Sequence, residues 1–384
     1  MIFKRTDELK PGMRLAKPIY NKNGVLLYVR NSELTFPGIN SVKNFGLIGV
    51  YILEPAEPLP PLTREDLDFE QKQTVYMFQL REVFDLIRKH KNIDLLSEIV
   101  KNINFKYGNL DHRINFNQNL RSSEDFVYKH AISVALLVAM LGHKSQLDEK
   151  TQLSLITAAL LYNYGYIFIP YHIQQKGDDL DSSDREIIQE CLEKGIEFLS
   201  PYREKHPYMQ KACALIQYHT YKTNESKRIN NPDASIVLLD DILSIAIDFD
   251  LATGIRVGEK PESEIMAMKA FMEEPDKYNP EIVDNLANSI HIVPAGASVD
   301  LSTKDKGIVL VENPNDFMRP LLLRLSNNQL YDLSIDRIYS HMKIVDIMKT
   351  MDNRIAIDED TLKQFQADGR ISSTAQKFKD GLYS

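Results

Sequence analysis

Apolar positions along the chain change their spacing several times, and each change marks a different kind of structure. Over residues 9–29, LKPGMRLAKPIYNKNGVLLYV, short apolar runs are broken by Pro11-Gly12 and Asn23-Gly24. Asn-Gly between apolar runs signals a hairpin, because both residues tolerate positive φ. A further strand is predicted over 48–53, so residues 1–54 read as a small β-rich N-terminal module. Pro55, Pro58, Pro60 and Pro61 follow; missing amide hydrogens and a fixed φ exclude helix or central strand, and 55–63 is predicted as a Pro-rich linker. From Arg64 to about Asn104 the pattern turns helical, with Met77, Leu80, Phe84 and Ile87 on one stripe. That spacing predicts a long amphipathic helix within a connecting region, 64–121. Its stripe must be covered by the chain itself or by a second copy.

Residues 122–293 show apolar-periodic stretches separated by short polar or Gly/Pro breaks, which predicts an all-α domain. Its helices are expected to begin near Ser123, Asp148, Ser182, Pro207, Asn231, Pro261 and Asn279, several of which suit N-caps or first turns. After Pro294 the runs VDLS, GIVLVE and PLLLRLS predict a small β module over 294–335. The remaining segment, 336–384, holds one amphipathic helix candidate, 341–351, and a polar tail. The fold class expected is mainly α, with small β-rich modules at both ends.

With 43% hydrophobic residues, 384 residues can bury a large core and divide into two or three domains. The longest uncharged apolar run, 131–141, is about half of the roughly 20 residues a bilayer span needs. No membrane span is expected, and the first residues show no signal-peptide core. Two cysteines, Cys191 and Cys213, make no disulfide framework, so a reducing, cytoplasmic setting is expected. A net charge of −8 gives no global drive toward nucleic acid, and no nucleic-acid partner is expected, although local basic patches remain open.

The segment LITAALLYNYGYIFIP, 155–170, ends a buried helix at polar residues followed by Gly165, a short apolar stretch and Pro170. It resembles the defining motif of HD-type phosphohydrolases, with Tyr162-Asn163 standing where that family has adjacent His and Asp. Other segments resemble the HD-GYP subfamily in order and spacing. YKHAISVA, 128–135, resembles the first ligand helix and places its His at His130. CLEKGIEFL, 191–199, puts Cys191 where the family has a metal-binding His and keeps Gly195. ALIQYHTYKTNESKR, 214–228, puts Tyr218-His219 at a pair of histidines and has no Gly-Tyr-Pro loop. NPDASIVLLDD, 231–241, resembles the helix carrying the last metal-binding Asp, at Asp240, and YNPEIV, 278–283, a structural motif near the domain end. The flanking LKPGMRLAKPIYNKNG, PAGASVDLS and DKGIVLVENP also resemble modules found beside HD-GYP domains.

The resemblance implies an HD-type helical bundle and a reaction in which two or three bridged metals supply a hydroxide that attacks a cyclic dinucleotide. Of the ligand positions it implies, His130, His219 and Asp240 keep a usual ligand, while Tyr162, Asn163, Cys191 and Tyr218 do not. A neutral amide at Asn163 cannot replace a bridging carboxylate, and a phenol at Tyr162 must lose a proton near pH 10 to bind metal strongly. The first metal would keep at most His130 and Asp240. Phe126 stands where many members have a carboxylate, with Glu124 and Asp125 nearby, and Ser235 where they have a phosphate-binding Arg. Lys222, Lys227 and Arg228 form the basic cluster in which a phosphate contact would persist, with Arg256 and Lys260 in a looser match.

The reading that follows is a catalytically inactive HD-GYP-like protein in cyclic-dinucleotide-type signalling, working through protein contacts or retained ligand binding. A protein partner, a homodimer and a cyclic dinucleotide are the partners it allows, and no cofactor is expected. The alternative is an active phosphodiesterase on cyclic di-GMP or a related nucleotide, with an atypical Zn, Fe or Mn site that includes Cys191 as a thiolate. A non-catalytic HDOD-type regulator fits less well, because the flanking modules and NPDASIVLLDD favour HD-GYP descent. Gly165 is expected to matter to folding as a left-handed helix cap, more than His130 matters to chemistry.

Overall fold

The computed structural model describes residues 2–347 except 46, 48, 54–61, 119–120, 122–124, 175, 177–178, 223–226 and 255–260. The predicted linker therefore lies almost wholly outside the described residues, as do Glu124, Arg256, Lys260 and the polar tail.

The N-terminal module pairs β1 (Ile2–Arg5) antiparallel with β4 (Gly49–Ile52) and β2 (Ile19–Tyr20) with β3 (Leu26–Tyr28). The predicted hairpin turn is present: Gly24 has φ +75, and Asn21 Oδ1 accepts the amides of Asn23 and Val25, both at 2.9 Å. Between the hairpin and β4 stands a helix that the strand pattern did not predict, α1 (Phe36–Asn44). Thr35 caps it, accepting the Gly38 amide at 3.2 Å, and Pro37 occupies its first turn. Leu9, Leu15, Leu34, Ile39, Val42 and Val50 close a small separate core.

The long helix expected over 64–104 is two helices, α2 (Arg64–Arg88) and α3 (Asp94–Tyr107). His90 turns the chain with φ 52, and Asn92 Oδ1 takes the Asp94 amide at 3.0 Å. The physical reason is the second stripe: Leu96, Ile99, Val100 and Ile103 of α3 share one core with Leu80, Val83, Phe84 and Ile87 of α2, which requires the chain to double back. Leu80, Phe84 and Ile87 are at most 1% exposed. Three of the four stripe residues are thus covered inside the chain, and Met77 is half-buried.

The bundle is built around α4 (Phe126–Lys144), in which every residue from His130 to Gly142 is buried. Among the described residues this is the one helix long and apolar enough to cross a membrane, and it lies packed among its neighbours. Around it stand α5 (Glu149–Leu161), a 3₁₀ turn (Tyr164–Phe168), α6 (Tyr171–Gln174), α7 (Ser182–Leu199), α8 (Met209–Tyr221), α9 (Ala234–Thr253), α10 (Glu264–Glu273) and α11 (Pro280–Ala287). Helix starts follow the capping residues: Asp148, Asp181, Asp233, Ser263 and Asn279 each accept an amide of the first turn.

Gly165 does not cap α5 in a left-handed conformation: among the described residues the positive-φ glycines are Gly12, Gly24 and Gly296. It sits inside the 3₁₀ turn, pressed against the backbone of α7.

The C-terminal sheet is antiparallel with order β8-β7-β6-β5-β9, from β5 (Ser298–Leu301), β6 (Lys306–Val311), β7 (Leu321–Arg324), β8 (Gln329–Asp332) and β9 (Ile344–Ile347). The helix expected over 341–351 is corrected here. A short helix, α12 (Asp336–Tyr339), ends before it, and Ile344–Ile347 pairs with β5, Val299 opposite Ile347. Ile344, Val345 and Ile347 are β-branched and suit a strand. The sheet therefore reaches Ile347, beyond the module end predicted at residue 335.

Candidate functional site

The candidate site lies where the N-terminal end of α4, the C-terminal end of α5, the last turns of α8 and the length of α9 converge. His130, one turn into α4, is 3% exposed. Its Nδ1 bonds Asp250 Oδ2 on α9, and its Nε2 meets the Tyr162 hydroxyl at the end of α5. An ionised carboxylate only accepts, so Nδ1 carries the proton and Nε2 accepts from the phenol. Phe126 stacks on the imidazole with ring centres 5.2 Å apart.

Asp250 is completely buried and held from three sides. Arg121 Nη2 donates to its carboxylate at 2.5 Å and Gln118 Nε2 at 2.7 Å, while the same guanidinium nitrogen reaches Ser133 Oγ at 3.1 Å. Burial alone would raise the Asp250 carboxyl; the Arg121 guanidinium and His130 outweigh it and hold it down at about 2. The Tyr162 phenol is pushed well above its usual value, chiefly by burial and further by Tyr166 and Asp250. It is a proton donor in this network and no phenolate.

A second pair stands further along α9. His219 Nδ1 bonds Asp240 Oδ1 at 2.6 Å, and the Lys222 ammonium takes Asp240 Oδ2 at 2.8 Å and Ser244 Oγ at 2.7 Å. Burial again opposes ionisation of Asp240, and His219 with Lys222 overcomes it, so its carboxyl lies below the usual range. Burial, with smaller help from Asp240, raises neighbouring Asp241, which accepts from Asn279 Nδ2 at 3.4 Å. Tyr162 separates the two pairs: its ring stands edge-on to His130 at 6.0 Å and to His219 at 5.8 Å.

This arrangement corrects the expected pairing. Asp240 does not meet His130. The carboxylate that does is Asp250, ten positions later on the same helix, or about 15 Å along its axis. Asp250, Arg121 and Gln118 were not singled out from the sequence. The available signal was a carboxylate inside the apolar stretch SIAIDFDLA of α9, which must find a partner once buried.

The other predicted residues scatter. Asn163 is buried and donates Nδ2 to the Val127 carbonyl at 2.9 Å, leaving its Oδ1 with no hydrogen-bond partner. Cys191 is half-buried on α7, its thiol raised by burial that Lys194 only partly offsets. Among the described residues Tyr218 joins neither His–Asp pair; burial and then Asp240 and Asp241 raise its phenol. The basic cluster does not converge: Lys222 faces α9, Lys227 pairs with Glu193 of α7 at 2.7 Å, and Arg228 is exposed. Ser235 lies in the first turn of α9, its amide on Asp233.

The donor set does not fit a bridged metal centre. Both nitrogens of His130 are engaged, the free oxygen of Asp240 is taken by an ammonium, and the bridging position is a neutral amide. Among the described residues no three His, Cys, Asp or Glu side chains come together as a metal-holding group, and Cys191 joins neither pair.

Residues 116–282 match the family model of the HD domain. A cyclic di-GMP phosphodiesterase of Pseudomonas aeruginosa is 20% identical over 201 residues, covering 52% of this chain and 48% of that protein. The chain thus spans about half the length of the curated relative it matches. Among solved structures, an HDG"Y"P protein from Bdellovibrio bacteriovorus aligns over 74% of this chain and 97% of that one, at 15% identity and a TM-score of 0.41.

Proposed function

We propose that this protein, whose residues 116–282 form an HD-type phosphohydrolase domain, is a non-catalytic member of cyclic-dinucleotide-type signalling that acts through protein contacts. One observation carries the reading: the chain's own side chains occupy the positions a metal would need. In a working site of this class, bound metals supply a hydroxide nucleophile at neutral pH. Here Tyr162 closes His130 Nε2 with a phenol held protonated, and Lys222 puts a positive charge on Asp240. Arg121 does the same for Asp250. Each carboxylate of the two pairs is already neutralised by an internal cation, so a divalent ion would have to displace a satisfied buried partner.

A retained nucleotide contact draws little support from the basic residues, because Lys222 and Lys227 are committed to Asp240 and Glu193. Cyclic di-GMP therefore enters as a compound to be tested.

The expected outcome is purified protein without stoichiometric transition metal and without cyclic di-GMP hydrolysis under reducing, metal-supplemented conditions. Elemental analysis and a product assay check both. Two or more tightly bound metals per chain, or turnover that disappears in His130→Ala, would overturn the proposal.

A further inference from the structure

Charge is distributed very unevenly over the chain. Residues 1–53 hold eight Lys or Arg against three Asp or Glu, a net of +5, whereas the remaining residues hold 38 against 51, a net of −13. The overall −8 therefore conceals a basic module at one end of an acidic body. In that module Lys10, Lys22 and Lys43 are exposed and have no carboxylate partner among the described residues. Lys17 is spent internally on Glu70, at 2.6 Å. Of the three acidic residues, Asp7 and Glu8 engage Arg5, and Glu33 stands opposite Arg14.

The same module exposes large apolar side chains. Phe36 is 73% exposed, Val25 and Val29 each 56%, and Leu26 46%. The first turn of α1 lies against the hairpin: a methyl group on Gly38 would sit 3.6 Å from the Tyr28 hydroxyl and 3.8 Å from its ring. Single exposed apolar residues are ordinary, but four of them on two neighbouring elements of a module with a net charge of +5 are not.

We propose that this hairpin and helix start dock the protein onto an anionic lipid bilayer. The apolar side chains would enter the headgroup boundary while the cations meet lipid phosphates. Three of the four side chains, Val25, Leu26 and Val29, are aliphatic and only Phe36 could stack on a base, which disfavours a nucleic acid as the occupant. This inference goes beyond the non-catalytic reading and is independent of it.

Full-length protein is mixed with vesicles of phosphatidylcholine alone or with phosphatidylglycerol added, and binding is followed by sedimentation. Binding is expected only to the anionic vesicles. It should fall steeply as salt rises from about 0.1 M to about 1 M, where the Debye length shrinks from roughly 10 Å to about 3 Å. Lys22→Glu/Lys43→Glu and Val29→Asp/Phe36→Ser should each weaken it more than about tenfold without changing the melting temperature, since all four sites are exposed. Absence of binding to anionic vesicles, or binding indifferent to both pairs of substitutions, overturns the proposal. So does a wild-type dimer in light scattering that the same variants dissolve, which would assign the surface to a second copy. Salt-sensitive binding to a single-stranded oligonucleotide that survives Val29→Asp/Phe36→Ser, with no vesicle binding, would assign it to nucleic acid.

Discussion

Arg121→Met is expected to cost about 3–5 kcal/mol of stability, the usual penalty for stripping one partner from a buried ion pair, and to lower the melting temperature by on the order of 10 °C. Asp250 has no exposed surface and the Arg121 side chain almost none. Removing the guanidinium leaves a carboxylate whose remaining partners, Gln118 and His130, cannot neutralise it fully. Arg121→Met/Asp250→Asn should recover part of the loss, because neither charge is then left alone in the core. The acid response should change with it. The Asp250 carboxyl is held down at about 2 when folded, against about 3.9 for an unfolded Asp. Its contribution to stability is thus complete above the unfolded value and lost as pH falls through about 2. Without Arg121, burial acts with less opposition, and the acid transition should begin at higher pH. Urea titrations of the three proteins across pH check this. An Arg121→Met variant as stable as wild type would show that the pair contributes nothing to the fold.

The helical bundle was legible because its signals are local. A capping Asp, Asn or Ser ahead of an apolar period locates the start of α5, α7, α10 and α11 without knowledge of their neighbours. The motif at 155–170 likewise led to the HD-type resemblance, and residues 116–282 match the family model of the HD domain. Two elements failed for opposite reasons. Continuous helical periodicity concealed the turn at His90, since the stripes of α2 and α3 read as one until they are folded onto a common core. At Ile344 a short β-branched run sits next to residues with helical spacing, and only pairing with β5 decides for the strand.

The site was half legible. His130, His219, Asp240 and Tyr162 were singled out and do stand together, while Asp240, expected to share a metal with His130, pairs with His219, and the carboxylate on His130 is Asp250. Helix α9 carries Asp240, Asp241, Asp248 and Asp250. Which one faces a histidine on α4 depends on the level at which two helices cross, and no local pattern encodes that. Lys222 reads from the sequence as a surface cation for phosphate, because a loop position beside Tyr218-His219 gives no sign of an internal carboxylate 18 residues away. Tyr162, Lys222 and Arg121 leave no partner position open on His130 Nε2, Asp240 or Asp250.

Gly165→Ala and Gly195→Ala should each destabilise the protein by about 1–3 kcal/mol, the range for forcing atoms into a filled contact, although neither glycine needs positive φ. The cause is backbone packed on backbone. A Cβ on Gly165 would lie 2.5 Å from the Cys191 carbonyl oxygen and 2.6 Å from Leu192 Cα. From the other side, a Cβ on Gly195 would lie 2.6 Å from the Gly165 nitrogen and 2.7 Å from its Cα. No side-chain rotation relieves either clash, so α7 must move away from the 3₁₀ turn. That turn directly follows Tyr162-Asn163, and its displacement should also loosen the Tyr162 contact with His130. Because both substitutions separate the same two segments, the second should add less than it costs alone, and the double variant should fall short of the sum. Chemical denaturation of the two single variants and the double variant measures this, with tyrosine near-ultraviolet dichroism reporting on Tyr162. Single variants within about 0.5 kcal/mol of wild type would mean that the close approach of α7 is not a feature of the folded protein.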